Sequence, residues 1–171
     1  CNYIDWTPFF RTWELKGTYP KILEDQIMGE TARNLFTDAK GLLEQIVEKR
    51  LLTAKAVVGF WPANSVGDDI EVYESVDPIH RQAILHTLRQ QMRQGRGKAN
   101  FALADFIAPL ACQHVDYIGG FAVCVGFGLG ALVAEFEKNH DDYNAIMARA
   151  LADRLAEAFA ECLHATARTD W

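Results

Sequence analysis

The apolar positions between Gly29 and Arg50 recur every three or four residues, as they do along one side of a helix. Because an α-helix turns once in about 3.6 residues, this spacing predicts an amphipathic helix over the whole segment. The predicted apolar face consists of Ala32, Leu35, Phe36, Ala39, Leu42, Leu43, Ile46 and Val47.

The C-terminal part of the sequence predicts two more helices, from Leu129 to Lys138 and from Tyr143 to Ala167. A polar break separates them, and Asp142 is a candidate cap for the second helix. The second helix carries an apolar stripe that should face a core: Met147, Leu151, Leu155, Phe159 and Leu163.

Strand patterns occur in the middle of the chain. The β-branched and aromatic run from Val57 to Trp61 predicts a buried strand ended by Pro62. Asp68-Asp69 is a turn signal. After it, the apolar residues Ile70 and Val72 alternate with polar ones, and Val76 would continue the pattern in a longer strand. This alternation predicts a second strand, antiparallel to the first.

The segment from Tyr117 to Val125 is the clearest predicted strand, because it is continuously apolar, and we expect it to be central. Its Gly119 and Gly120 indicate a bulge or a close backbone approach.

Three segments are less regular. Residues Tyr3 to Lys16 predict an irregular arm or a short helix, with Pro8 in the first turn. Ala83 to Met92 fits either a helix or a strand, and we favour the helix. Asn100 to Ala104 suggests a short edge strand. Strands mixed with helices, without a regular βαβ alternation, indicate the α+β class.

Length and charge restrict the function. A chain of 171 residues, half of it apolar, suits one globular domain. The formal net charge of -6 argues against a nucleic-acid-binding surface. The only dense basic stretch, Arg89 to Lys98, is interpreted as a solvated helix end that continues into a turn.

The four cysteines are Cys1, Cys112, Cys124 and Cys162. They form no C-x-x-C pair, which suits reduced thiols of a cytoplasmic protein better than a zinc site or disulfides. We expect Cys124 and Cys162 to be small core residues. No signal-peptide pattern opens the sequence, and no apolar run is long enough to span a bilayer.

Two acidic residues have structural interpretations. Asp5, before Trp6-Thr7-Pro8, is typical of a helix cap. Glu157, three residues after Arg154, predicts a surface ion pair of a few tenths of a kcal/mol.

Other candidate chemistry is weaker. Adjacent His140-Asp141-Asp142 cannot converge on one metal ion from a helix, so a polar junction is expected and no metal site. Gly126-Phe127-Gly128-Leu129-Gly130 precedes a helix but lacks dinucleotide-loop spacing, which favours a strand-to-helix connection over an anion site. The sequence has no nucleophile elbow and no Cys-His pair suited to catalysis, so it does not indicate a hydrolase.

An ordered set of motifs resembles the activation domain of cobalamin-dependent methionine synthase, and the resemblance covers nearly the whole chain. The motifs are Asp5-Trp6-Thr7-Pro8-Phe9-Phe10, Tyr19-Pro20-Lys21-Ile22-Leu23-Glu24-Asp25, Pro62-Ala63-Asn64-Ser65-Val66-Gly67-Asp68-Asp69-Ile70, Leu88-Arg89-Gln90-Gln91, Leu103-Ala104-Asp105-Phe106, Asp116-Tyr117-Ile118-Gly119, and the run from His140 to Phe159.

The resemblance implies a curved single domain with a twisted antiparallel sheet and helices grouped around it. It implies binding of S-adenosylmethionine, with Asp5 and Glu157 as contacts, and no catalytic side chain. Cobalamin would be carried by a neighbouring domain of the same enzyme, and a flavodoxin-like or diflavin reductase would donate an electron.

The family's segment Arg-Pro-x-x-Gly-Tyr has no counterpart before Trp171. We therefore expect residues 1–171 to form one activation-type domain that is incomplete at its C-terminus, inactive alone and weak in binding S-adenosylmethionine. The alternative is a non-catalytic docking module that no longer binds this ligand.

Overall fold

The computed structural model describes residues 3–95 and 97–170, and these contain four α-helices and four β-strands. The helices are α1 (Thr7–Thr12), α2 (Gly29–Glu48), α3 (Leu129–Lys138) and α4 (Asp142–Asp170). The strands are β1 (Thr53–Val66), β2 (Asp69–Tyr73), β3 (Arg81–His86) and β4 (Asp116–Phe127), and short 3₁₀ helices cover Lys21–Glu24, Leu103–Phe106 and Leu110–Cys112.

The strands form one sheet in the order β3-β2-β1-β4. β2 pairs antiparallel with both β1 and β3. A tight turn joins β1 to β2, with Gly67 at a φ of +63°, so that Ser65 lies opposite Ile70. Helices and an antiparallel sheet confirm the predicted α+β class.

The chain divides into two compact units. Unit 1 consists of the described residues up to Ala56 and from Ala122 onward, and unit 2 is Val57–Phe121. β1 and β4 each contribute residues to both units.

The core of unit 1 is built by α1, α2, α3 and α4. The predicted face of α2 is confirmed, apart from half-buried Phe36 and exposed Val47. On α4, Met147 and Leu151 are fully buried, whereas Leu155 is half-buried. The helical periodicity therefore identified the correct side of both helices.

Unit 2 has a small core of Ala63, Ile70 and Ala104. Buried Asn64 fixes the loop that precedes β4, because its Nδ2 donates to the backbone oxygens of Ala108 at 3.0 Å and His114 at 2.7 Å. The buried side-chain amide of Asn64 thereby finds acceptors for its N–H groups, as buried polar groups normally do, and holds the irregular loop in place.

The expectation of a central, buried strand at Tyr117–Val125 is wrong. β4 lies at one end of the sheet, and most of its residues are exposed. Added Cβ atoms would lie 3.0 Å from the Phe60 ring at Gly119 and 3.1 Å from the Trp61 ring at Gly120. The glycines therefore accommodate aromatic rings, and the apolar run does not signal burial.

β1 is also longer and more exposed than predicted, and it continues through Pro62. The pairing with β2 covers Ala63 to Val66, so the missing N–H of Pro62 removes no hydrogen bond from that ladder. Val57 is 67% exposed, which contradicts a buried strand.

The favoured helix at Ala83–Met92 is wrong, because residues 81–86 form β3 and pair with β2, Ala83 opposite Val72. Tertiary pairing decides an ambiguous local pattern here. The expected strand at Asn100–Ala104 is replaced by a 3₁₀ turn, where the Asp105 carboxylate accepts the Ala102 N–H at 3.0 Å.

The predicted cap of the last helix is shifted by one residue. Asp141, not Asp142, accepts the backbone N–H of Asn144 at 3.0 Å. Across residues 3–95 and 97–170, no helix has the length and apolar character needed to cross a membrane.

Candidate functional site

Asp5 lies directly before α1, in a segment tied down by short-range hydrogen bonds. Its Oδ1 accepts the backbone N–H of Thr7 at 2.9 Å, and the Thr7 hydroxyl accepts the N–H of Tyr19 at 3.2 Å. The first N–H groups of a helix have no acceptor within the helix. By accepting one of them, Asp5 acts in part as a helix cap. Asp5 is nevertheless exposed, so its carboxylate is accessible to a ligand.

The aromatic residues after Asp5 mainly build the core. Phe9 and Phe10 are fully buried. Trp6 is half-buried and packs edge-on against Phe9 and Phe36, with ring centroids 5.4 and 4.8 Å apart. At least two of these aromatic residues are therefore core residues, and the cluster gives Asp5 a rigid support.

A cavity of about 510 Å³ opens beside this cluster. Its apolar wall includes Ile4 and Trp6, the two neighbours of Asp5, and Lys40 and Glu44 bring charge to it. Its volume falls within the range of about 300–1,000 Å³ that is usual for small-molecule sites.

A smaller cleft of about 200 Å³ lies where the N-terminal segment meets α4. It is lined by Tyr3, Ala54, Val125, Leu155, Ala158, Phe159 and Cys162. The structure thus places the segment around Asp5 against the middle of α4, the two parts of the sequence that the resemblance singled out.

Glu157 does not point into this cleft. At about 100° per residue, Glu157 lies about 200° around the helix from the cleft residue Leu155, and its side chain is 65% exposed. Arg154 donates to both of its oxygens at 2.7 and 2.8 Å, which confirms the predicted ion pair. The structure therefore does not place Glu157 on the cleft side of α4.

The structure also places the weaker candidates. Within the described ranges, no group of His, Cys, Asp and Glu could hold a metal ion. Gly128 connects β4 to α3 with a φ of +99°, as the strand-to-helix interpretation predicts. Cys162 is half-buried, whereas the prediction that Cys124 is a core residue is wrong because it is exposed. Cys1 lies outside the described residues.

Sequence reasoning missed an ionic cluster in unit 2. The Arg89 guanidinium donates to Asp68 at 2.6 Å and to both oxygens of Asp105 at 2.7 and 2.8 Å. The hydrogen bond from Arg89, helped by the Ala102 N–H, lowers the pKa of Asp105 to about 2. All three residues lie in motifs that carried the resemblance, which was the available signal.

A third carboxylate from these motifs, that of Asp116, also has a structural role. Asp116 accepts the backbone N–H groups of Ala108 at 2.9 Å and Tyr117 at 2.8 Å. These bonds lower the pKa of Asp116, because hydrogen bonds to a carboxylate favour its charged form. The carboxylates of these motifs therefore hold the loops of unit 2 in place through hydrogen bonds.

The chain is similar to known proteins in both sequence and fold. Residues 1–171 match the family model described as vitamin B12 dependent methionine synthase, activation domain. A solved structure described as the MetH reactivation domain bound to AdoHcy is similar, with 53% sequence identity and a TM-score of 0.87. The match covers 98% of this chain and 51% of that one, so the chain spans about half the length of the structure it matches.

Proposed function

Because the chain belongs to the activation-domain family of vitamin B12-dependent methionine synthases, we propose that it forms part of a reactivation domain that binds S-adenosylmethionine. The observation that carries this proposal is 53% identity, over 98% of the chain, to a reactivation domain bound to AdoHcy. AdoHcy is the product that remains when S-adenosylmethionine has given up its methyl group.

Asp5 is the best supported of the proposed ligand contacts. S-adenosylmethionine carries a sulfonium and an ammonium group, and a carboxylate near either one favours binding. The hydrogen bond from the Thr7 N–H restricts the orientation of the Asp5 side chain, so less conformational entropy is lost on binding. The cleft of about 200 Å³ next to this segment is below the usual size of a ligand site, so these residues supply part of the site.

Glu157 remains a predicted contact. Both of its oxygens accept hydrogen bonds from Arg154, whose side chain is only 12% exposed. A ligand that touches both Asp5 and Glu157 must reach the exposed side of α4 as well as the side that faces the cleft. A matched test is therefore Asp5→Asn against Glu157→Gln.

The proposed chemical role of this chain is placement of the methyl donor. Cobalamin would be held by a neighbouring domain, and its cobalt, once reduced by one electron, would be the acceptor of the methyl group. Holding a donor in line with an acceptor removes much of the entropic barrier to transfer, and no acid or base is needed. We accordingly assign no catalytic side chain to residues 1–171.

On this proposal the chain works as part of a cytoplasmic methyltransferase, 5-methyltetrahydrofolate–homocysteine methyltransferase. Its partners are the cobalamin-binding domain of the same enzyme and a flavodoxin-like or diflavin reductase. The alternative, a docking module without ligand binding, is not favoured, because the structure it matches is a reactivation domain with AdoHcy bound.

Calorimetric titration tests the proposal. The protein extended through an Arg-Pro-x-x-Gly-Tyr segment should bind both S-adenosylmethionine and AdoHcy, and the 171-residue chain should bind them weakly or not at all. No heat of binding from the extended protein with either ligand would overturn the proposed function.

A further inference from the structure

Two cavities in unit 1 share a hydrogen-bonded pair that joins α2 to α4. The Tyr143 hydroxyl donates to Asp38 Oδ2 at 2.8 Å. Both residues line each of the two cavities, whose volumes are about 450 and 260 Å³. None of the residues that line these cavities borders the cavity or the cleft next to Asp5. The pair therefore belongs to a part of unit 1 that the proposed function does not use.

The smaller cavity, which we call the Trp13 recess, has two aromatic walls. The rings of Trp13 and Tyr143 pack at an angle of 56°, with centroids 5.1 Å apart, so their faces are differently oriented. Leu15 and buried Leu35 add aliphatic surface. The other lining residues are Thr31, Asn34 and Asp38. A molecule in the recess therefore meets mainly aromatic and aliphatic surface, two neutral polar side chains and one charge.

Asp38 is the one charged residue among the described residues that line either cavity. Within the described ranges it forms no ion pair, and Tyr143 occupies only one of its two oxygens. Burial of the Tyr143 phenol, together with its bond to Asp38, raises the pKa of Tyr143 to about 12, so the phenol stays neutral near pH 7. The recess therefore carries an uncompensated negative charge, which attracts a cation.

One donor in the wall of the recess has no acceptor. Trp13 Nε1 is buried and has no hydrogen-bond partner among the described residues. Leaving a buried donor unpaired is unfavourable, and buried polar groups of native proteins are normally paired. Because Trp13 lines the recess, an oxygen atom of a bound molecule is an acceptor that the described fold itself does not provide.

We propose that the Trp13 recess binds a small quaternary ammonium ion that carries an oxygen acceptor, the chemical class of choline. Trp and Tyr ring faces attract such ions, and Asp38 adds a full negative charge. A primary ammonium has three N–H donors to satisfy, whereas a quaternary one has none, and one Asp38 oxygen is already bonded to Tyr143. The volume of about 260 Å³ lies just below the range of drug-sized sites and restricts the ligand to a small one.

Calorimetric titration of the 171-residue protein with three probes tests the ligand chemistry without any substitution. Choline is the probe that has both the charge and the oxygen. Its neutral isostere 3,3-dimethylbutan-1-ol keeps the shape and the oxygen but has no charge, and it should bind about tenfold more weakly or not at all. Tetramethylammonium keeps the charge but has no oxygen, and it should bind about threefold or more weakly than choline, because it leaves the Trp13 N–H unpaired.

Substitutions then locate the site. Asp38→Asn should weaken choline binding by about tenfold. Asp142→Asn is the matched control, because Asp142 is an exposed carboxylate next to Tyr143 in the chain that lines neither cavity, and it should leave the affinity within about twofold. Trp13→Phe keeps an aromatic ring but has no N–H, so choline should lose its advantage over tetramethylammonium. Thermal melting shows whether each variant retains the fold.

A wild type that does not bind choline, or that binds it no better than 3,3-dimethylbutan-1-ol or tetramethylammonium, would overturn the proposal. So would an equal loss of affinity in Asp38→Asn and Asp142→Asn. Because the probe comparison uses the wild type, it decides the matter even if a variant fails to fold. The inference does not depend on S-adenosylmethionine binding at Asp5, which is titrated separately.

Discussion

One carboxylate oxygen of Asp5 accepts the backbone N–H of Thr7 at 2.9 Å, while the residue itself stays exposed. This relationship combines both interpretations of Asp5, because a carboxylate that supports a helix start still has its charge to offer to a ligand. The two roles can be separated by substitution.

We expect Asp5→Asn to retain stability and lose ligand affinity. Asparagine keeps an oxygen for the Thr7 N–H, so the free energy of unfolding should change by less than about 0.5 kcal/mol. Loss of the charge should weaken S-adenosylmethionine binding by about tenfold, and AdoHcy binding by less, because AdoHcy lacks the sulfonium. Calorimetry on the extended protein and urea melts measure both effects, and equal affinities would leave Asp5 as a helix cap only.

Gly128 should be intolerant of a side chain. Its φ is +99°, and an added Cβ would lie 2.3 Å from the backbone oxygen of Leu51. Gly128→Ala should therefore lower the free energy of unfolding by about 2 kcal/mol or more. Gly130→Ala is the matched control, because a Cβ there meets nothing within 4 Å, and it should stabilise α3 by about 0.5 kcal/mol. Similar urea midpoints for the two variants would contradict the close approach.

The ion cluster around Arg89 predicts a pH dependence. Hydrogen bonding by Arg89 lowers the pKa of Asp105 from 3.8 to about 2. A carboxyl group with a lower pKa in the folded state stabilises the protein above the unfolded value, and that contribution is lost as the pH falls from about 4 to about 2. Arg89→Gln should therefore be destabilising at pH 5, and the difference from wild type should shrink towards pH 2.5.

Urea melts at a series of pH values measure this effect. Arg149→Gln serves as the control, since Arg149 forms an exposed pair with Glu137 at 2.7 Å and exposed pairs contribute little. A difference between wild type and Arg89→Gln that stays constant with pH would show that Asp105 is not the group responsible.

Two leucines of the apolar stripe of α4 differ in how deeply they are buried. Leu151 is fully buried, so Leu151→Ala should cost about 2–5 kcal/mol. Leu155 is half-buried at the cleft, so Leu155→Ala should cost less, below about 2 kcal/mol. Chemical denaturation of the two variants gives the comparison directly, and a larger loss for Leu155→Ala would contradict the described orientation of the helix.

The sequence by itself determined the three longer helices, α2, α3 and α4. The apolar face of α2, the separation of α3 from α4 and the stripe through Met147 and Leu151 all follow from a 3.6-residue period, which is a local property of the chain. The turn between β1 and β2 is local too, because Gly67 takes up a positive φ there. The ordered motifs also indicated the family, which the match to the whole chain confirmed.

Only the tertiary structure decided the place of each strand in the sheet and the environment of each candidate residue. An apolar run fits a central strand and a terminal one equally well, so the strand at Tyr117–Val125 was predicted correctly but its place in the sheet was not. β3 was mispredicted as a helix, because its pairing with β2 decides its conformation. The resemblance implies that Asp5 and Glu157 both contact the ligand, and only the fold shows that Glu157 is exposed and paired with Arg154. Which side of a long helix faces the cleft, and ionic contacts such as that between Arg89 and Asp105, depend on how remote segments pack. No local sequence pattern specifies that packing.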